Sequence, residues 1–271
     1  MQMVRLPAVA GSFYPSDPAE LSAQISEYIA PRNGPASRNV KACLVPHAGL
    51  MYSGHVAGAV FSSIKIPKRI VVLGVRHRPP GSPVAIVSHG VWRTPLGDAE
   101  IDHELAEKLR ITCPLLTEDA VAHSKEHSLE VEIPFLQILN PDFRFVPIAL
   151  GTAQFETLVS VGEAIGSVLA AEKQEVLLVT SSDLNHYEDD ATTRVKDRKA
   201  MDQLLKMDAR GLYDVCRKEE ISMCGLGPAV GMLTALHVLK ASKAELIRYA
   251  TSADQGGDPS AVVGYAGMVF W

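Results

Sequence analysis

Seven short stretches of this chain, at 41–46, 69–74, 84–87, 143–150, 175–180, 246–251 and 263–270, are rich in β-branched residues, and most run as continuous apolar segments instead of alternating with polar residues. Alternation marks a strand with one face in water. A strand that is apolar throughout must be covered on both faces, the condition met in parallel sheets flanked by crossover helices. Between these runs lie segments of helical period at 18–28, 55–63, 101–109, 129–139, 156–170, 194–206, 209–218 and 228–240. The first opens on Asp17, Pro18 and Glu20: an N-cap, a first-turn proline and an acid three residues after the cap. The chain has 271 residues, 47% of them hydrophobic, with no internal repeat, low-complexity tract or long linker. It is expected to fold as one α/β domain over 1–271, a layered sandwich whose mostly parallel central sheet carries helices on both faces.

Lys and Arg number 26 against 31 Asp and Glu, a formal charge of −5, and no dense basic run occurs. Nucleic acid is therefore not an expected partner. The opening MQMVRLPAVAGSFYPSDPAE lacks the apolar core of a signal peptide. No stretch reaches the roughly 18 apolar residues of a membrane span, so a cytoplasmic protein without membrane contact is expected. Cys43, Cys113, Cys216 and Cys224 are scattered without a C-x-x-C pair, which argues against a disulfide framework and against a structural zinc knuckle.

In open α/β sheets ligands bind beyond the carboxyl ends of the strands, so polar residues there are informative. The run into VPHAG ends at His47, and RIVVLGVRHR ends at Gly74 and His77. EVLLVTSSDLNHY ends at Ser181, Ser182 and Asp183, with His186 close behind. His47 and His77 are about one β-α-β unit apart, a separation that sets two parallel strands side by side. One strand-end histidine is ordinarily a hydrogen-bonded structural residue. Three strands delivering imidazole and carboxylate to one rim favour a metal site, because neutral imidazole is a common ligand of zinc, iron and copper. His55, His89, His103 and His237 have no acidic or histidine neighbour at ligand spacing and read as surface or core-edge residues.

In SMCGLGPAVGML, Cys224 precedes a glycine-rich turn and a helix opened by Pro228. A helix N-terminus favours thiolate over thiol, so Cys224 reads either as a thiolate ligand or as a small buried hydrophobe like Cys43. Gly225, Gly227 and Gly231 lack the dinucleotide-binding spacing, no clear strand precedes them, and no acid follows at the required distance. In AHSKEHSLEVEIPFLQ, Glu126, His127 and Ser128 open an amphipathic helix with Leu129, Ile133 and Leu136 as its buried stripe. His127 and Glu130 there either reach a cleft or merely cap and pair.

The ordered segments AGSFYP, VPHAGLMYSG, LGVRHR, RTPLG, EHSLEVEIPF, SSDLNHY, CGLGPAVGML and GYAG resemble the Memo family, also called AmmeMemoRadiSam system protein B, over essentially the whole chain. That family resembles the class III extradiol ring-cleaving dioxygenases, which hold non-haem iron(II) with two histidines and a carboxylate and use another histidine as acid and base. The resemblance implies a dioxygenase-like α/β fold, His47 and His77 as metal ligands, and His186 as the catalytic acid/base. It also implies Cys224 as third ligand, where the dioxygenases have a carboxylate. Asp183 is then either a further ligand or an acceptor that orients a histidine N–H. Thiolate is soft, strongly donating and oxidisable, so a His/His/Cys set suits iron(II) or copper, and zinc as well. The implied function is a metal-dependent, dioxygenase-like redox enzyme acting on a small molecule, with a radical-SAM protein and an AMMECR-type domain as partners. Two further readings stay open: a metal-binding scaffold or peptide-binding module without turnover, and a zinc hydrolase using His186 as base.

Overall fold

The computed structural model describes residues 3–29 and 38–271. One sheet contains β1 (Val4–Arg5), β2 (Ala42–Val45), β3 (Arg69–Val75), β4 (Val84–Ile86), β5 (Val91–Thr94), β6 (Gly97–Ile101), β7 (Thr117–Glu118), β8 (Arg144–Leu150), β9 (Val176–Ser181), β10 (His186–Glu188), β11 (Ala244–Thr251) and β12 (Val262–Phe270). The helices are α1 (Pro18–Tyr28), α2 (Leu50–Phe61), α3 (His103–Thr112), α4 (Ala120–His123), α5 (Ile133–Leu139), α6 (Phe155–Ala171), α7 (Asp190–Leu205), α8 (Ala209–Lys218) and α9 (Leu226–Val238). Strands β6, β8, β3, β9 and β2 run parallel in that spatial order, and antiparallel β12 joins β2.

The continuous apolar runs follow from this layering. Ala42, Leu44, Val71, Leu73 and Leu178 pack with α3, α6, α8 and α9, while Cys43, Val45, Ile70, Val72 and Val179 pack with α1, α2 and α5. Successive side chains leave a strand on opposite faces, and here both faces are dry. Each Val, Leu or Ile so buried contributes about 1.5–3 kcal/mol before conformational entropy is subtracted. Among the described residues no helix is long and apolar enough to cross a membrane.

Several helix boundaries differ from the sequence reading for local reasons. Helix α2 starts at Leu50 because its N-cap is Gly49, which has no side chain to announce it. The 101–109 segment divides: Ile101 closes β6, and α3 starts at His103 behind Asp102, whose carboxylate accepts the Leu105 N–H at 3.0 Å. The 129–139 segment begins as a tight 3-10 turn, Glu130–Glu132, and becomes α-helical at Ile133. Asp17 caps α1 as expected, accepting from the N–H groups of Ala19 and Glu20.

The larger correction is topological. Strands β2 and β3, joined through α2, are not neighbours: β9 lies between them, pairing Ser181 with Val45 and Thr180 with Leu73. A crossover can return the chain one or two strand spacings away, about 5 or 10 Å, so separation in sequence does not settle adjacency. As a result the carboxyl end of β9 lies between those of β2 and β3, and the His47 and His77 rings still meet edge-on beyond it, with centroids 5.2 Å apart.

Candidate metal centre

His47, just past β2, is 1% exposed. Its backbone N–H donates to Asp183 Oδ1 at 2.8 Å and its Nδ1 lies 2.8 Å from Ser181 Oγ, while its Nε2 is 3.3 Å from Cys224 Sγ. His77, just past β3, is held by Glu126: the backbone N–H donates to Oε2 at 2.7 Å and Nδ1 is 2.9 Å from Oε1. Glu126 also accepts the N–H groups of His127 and Ser128. Burial alone would raise the Glu126 pKa, but the hydrogen bond and charge of His77, with the Ser128 N–H, outweigh it and hold the group at about 2. A carboxylate can only accept, so His77 Nδ1 carries a hydrogen and Nε2 is the ring nitrogen left for a metal. His186 stands at the bulged start of β10, with its N–H on Ser222 Oγ and its Nδ1 3.0 Å from the Ser222 carbonyl, which fixes the same tautomer.

Among the described residues three groups of ligand-type atoms result, with the atoms of each within 4.8 Å of one another: His47, His77 and Cys224; Asp183, His186 and Cys224; His77, Glu126 and His127. Cys224 reaches the first two because Gly225 sits hard against β9's end. A Cβ at 225 would stand 2.2 Å from Ser182 Cβ, and the Gly225 N–H donates to Ser182 Oγ at 3.1 Å. Burial, then the charge of His77, lowers the His47 pKa to about 3; burial, then His47, lowers His127 to about 4. Both rings are therefore neutral at physiological pH, the state that ligates.

Two expectations change here. The helix N-terminus does not make Cys224 a thiolate in the metal-free chain, because burial and then the charge of Asp183 push the thiol well above its usual range. A coordinating cation reverses that sign by deprotonating the thiol outright. Glu130 joins none of the ligand groups among the described residues. It accepts from Arg5, Tyr14 and the N–H groups of Ala8 and Val9, so it pairs instead of lining the centre. His127 does line it: its ring stacks on His77 with centroids 4.5 Å apart and meets His47 and Phe13 edge-on. Glu126, Ser181 and Ser222, which hold the three imidazoles, received no role in the sequence reading. Ser181 and Ser222 are marked in the chain only by lying two residues from Asp183 and Cys224, and Glu126 only by preceding His127.

A hollow of about 960 Å³ opens at the other, amino-terminal ends of the strands, beside Arg69 and Arg144. Arg69 there is matched by Asp102 and Glu172 and Arg144 by Glu100, and the lining includes none of the ligand groups found among the described residues.

A family model described as Memo-like protein matches residues 5–269. A MEMO1 family protein of Archaeoglobus fulgidus is 42% identical over 98% of this chain and 99% of its own. One of Methanopyrus kandleri is 40% identical over 99% of both chains. Among solved structures, an uncharacterised protein of Escherichia coli K12 is similar with a TM-score of 0.57 at 13% identity, covering 85% of this chain and 100% of that one. That likeness speaks for the α/β fold alone. The match along nearly the whole chain, with relatives this similar over their full length, establishes that the chain belongs to the Memo-like protein family.

Proposed function

We propose that this chain is a metal-dependent redox protein whose centre is held by His47, His77 and Cys224, takes iron(II) or copper, and acts on a small molecule. The observation that carries the reading is that ligand atoms of these three residues, from three separate parts of the chain, lie within 4.8 Å of one another. His47, His77 and His186 each have Nδ1 engaged by a protein group, which leaves Nε2 as the nitrogen to ligate or move a proton. When bound, the metal would supply a redox couple and open positions for a small ligand. His186, anchored through Nδ1 on Ser222, is assigned to proton transfer at Nε2. Asp183 holds the His47 backbone through one oxygen and has the other 3.9 Å from His47 Nε2, where it either accepts a proton or joins the ligands.

The test is elemental analysis of protein purified anaerobically without added metal, and again after titration with iron(II) or copper(I). The wild type should bind close to one equivalent. Each of His47→Ala, His77→Ala and Cys224→Ser should lose most of it with unchanged circular dichroism; unchanged stoichiometry in all three overturns the centre. His186→Ala should retain most of the metal while losing any oxygen consumption, and a metal loss equal to that of His47→Ala would make His186 a ligand. Retention of zinc alone, without oxygen consumption, favours hydrolysis instead.

A further inference from the structure

One buried carboxyl beside the centre has no part in ligation. Glu132 closes the 3-10 turn Glu130–Glu132, is 0% exposed, and sits within the apolar stripe of Leu129, Ile133 and Leu136. Its Oε1 is 2.9 Å from Ser181 Oγ, and its Oε2 has no hydrogen-bond partner among the described residues. Ser181 Oγ has three neighbours: the Ser128 carbonyl at 2.6 Å, Glu132 Oε1 at 2.9 Å and His47 Nδ1 at 2.8 Å.

A serine hydroxyl has one hydrogen and two lone pairs. The Ser128 carbonyl can only accept, and two oxygens approach this closely only with a hydrogen between them, so the Ser181 hydrogen is committed there. The other two contacts must bring their own hydrogens. His47 brings Nδ1–H, and Glu132 must be a carboxylic acid. The orphaned Oε2 agrees, because an ionised carboxylate with one oxygen buried and unpaired carries a large desolvation penalty. Burial accordingly drives the Glu132 pKa far above the carboxylate range.

We infer that Glu132 is a protonated positioning residue: its O–H donates to Ser181, Ser181 donates to the Ser128 carbonyl and accepts Nδ1–H from His47, and His47 is thereby held with its Nε2 lone pair toward Cys224. This chain of hydrogens belongs to the metal-free protein. Only its consequence, an imidazole set in advance to ligate, rests on the metal-centre reading.

Three measurements test it. Infrared difference spectra between metal-free wild type and Glu132→Gln should contain the C=O stretch of a protonated carboxyl, sensitive to deuteration and persisting at mildly alkaline pH. Nitrogen-15 NMR of the histidine side chains should find Nδ1–H at His47 in the wild type. The same tautomer is expected in Glu132→Gln, whose amide can donate to Ser181 in place of the acid, and a mixed or Nε2–H tautomer in Ser181→Ala, which removes the acceptor of Nδ1–H. Metal affinity should fall about 10–100-fold in Glu132→Leu and stay close to wild type in Glu132→Gln. Absence of the acid band, Nε2–H at His47 in the wild type, or an unmoved tautomer in Ser181→Ala each overturns the inference. Should Glu132→Leu fail to fold, the infrared band and the wild-type tautomer decide alone. A chain that binds no metal leaves both spectroscopic readouts standing, so failure of the metal centre is distinguishable from failure of this inference.

Discussion

Two fields compete at the sulfur of Cys224. The N-terminus of α9 carries the equivalent of about half a positive charge, which favours thiolate. Burial and Asp183 oppose it and prevail. In the metal-free protein iodoacetamide should therefore label Cys224 more slowly than an unhindered cysteine at neutral pH. It should still do so ahead of Cys43, Cys113 and Cys216, which are more deeply buried. Adding iron(II) or copper(I) anaerobically should slow Cys224 further and leave Cys43 unchanged. Peptide mass spectrometry over time reads all four sites, and labelling of Cys224 as fast as free cysteine contradicts the neutral thiol. Asp197 provides a pH signature at the same scale. It accepts the Asn185 N–H and the Tyr249 O–H, and Asn185 in turn accepts from Ser222, the residue that fixes His186. Burial raises its pKa to about 7 against those two donors. The folded value lies above the unfolded one, so this group's stabilisation is complete below about pH 4 and is lost as pH rises to about 7. Asp197→Asn removes that dependence. From about pH 5 to about pH 8 the stability difference should move in the variant's favour by about 2–3 kcal/mol. Urea unfolding curves test this, and a pH-independent difference sinks it.

Among the described residues the two-residue strand β1 pairs with β5 alone, and its hold on the fold comes mainly from one side chain. Arg5 lies 4.1 Å from the Trp92 ring centroid, donates to the carbonyls of His123 and Glu126, and pairs with buried Glu130 at 2.5 Å. Removing one partner of a buried pair leaves the other charge uncompensated, so Arg5→Ala should cost about 3–5 kcal/mol, measured by chemical denaturation. A loss below about 1 kcal/mol would mean that Tyr14 and the two backbone donors satisfy Glu130 without it. Elements like β1 are also where sequence reading reaches its limit. The short strands β1, β5, β6, β7 and β10 carry no apolar run, whereas β2, β3, β4, β8 and β12 announce themselves as apolar runs. Helix α8 is legible over its full extent, 209–218, because its apolar stripe recurs over nearly three turns.

For the molecule as a whole, His47, His77 and Cys224 stand after β2, after β3 and before α9, too far apart in the chain for an unfolded ensemble to gather them. A metal should therefore bind the folded state and stabilise it by about 2.7 kcal/mol at a hundredfold excess over Kd. The wild-type midpoint should rise by about 5 °C in anaerobic thermal scans with iron(II) or copper(I). His47→Ala should not respond; an equal rise in both places the metal elsewhere. The sequence by itself determined the α/β class and the strand ends that carry His47, His77 and Asp183, because apolar runs and the breaks that end them are properties of neighbouring residues. It could not determine that β9 separates β2 from β3, that Glu126 holds His77, that Cys224 is a neutral thiol or that Glu132 keeps its proton. Strand order depends on where each crossover lands, and protonation depends on how much water and which charges a folded neighbourhood leaves around a group. Both exist only once distant segments have packed together.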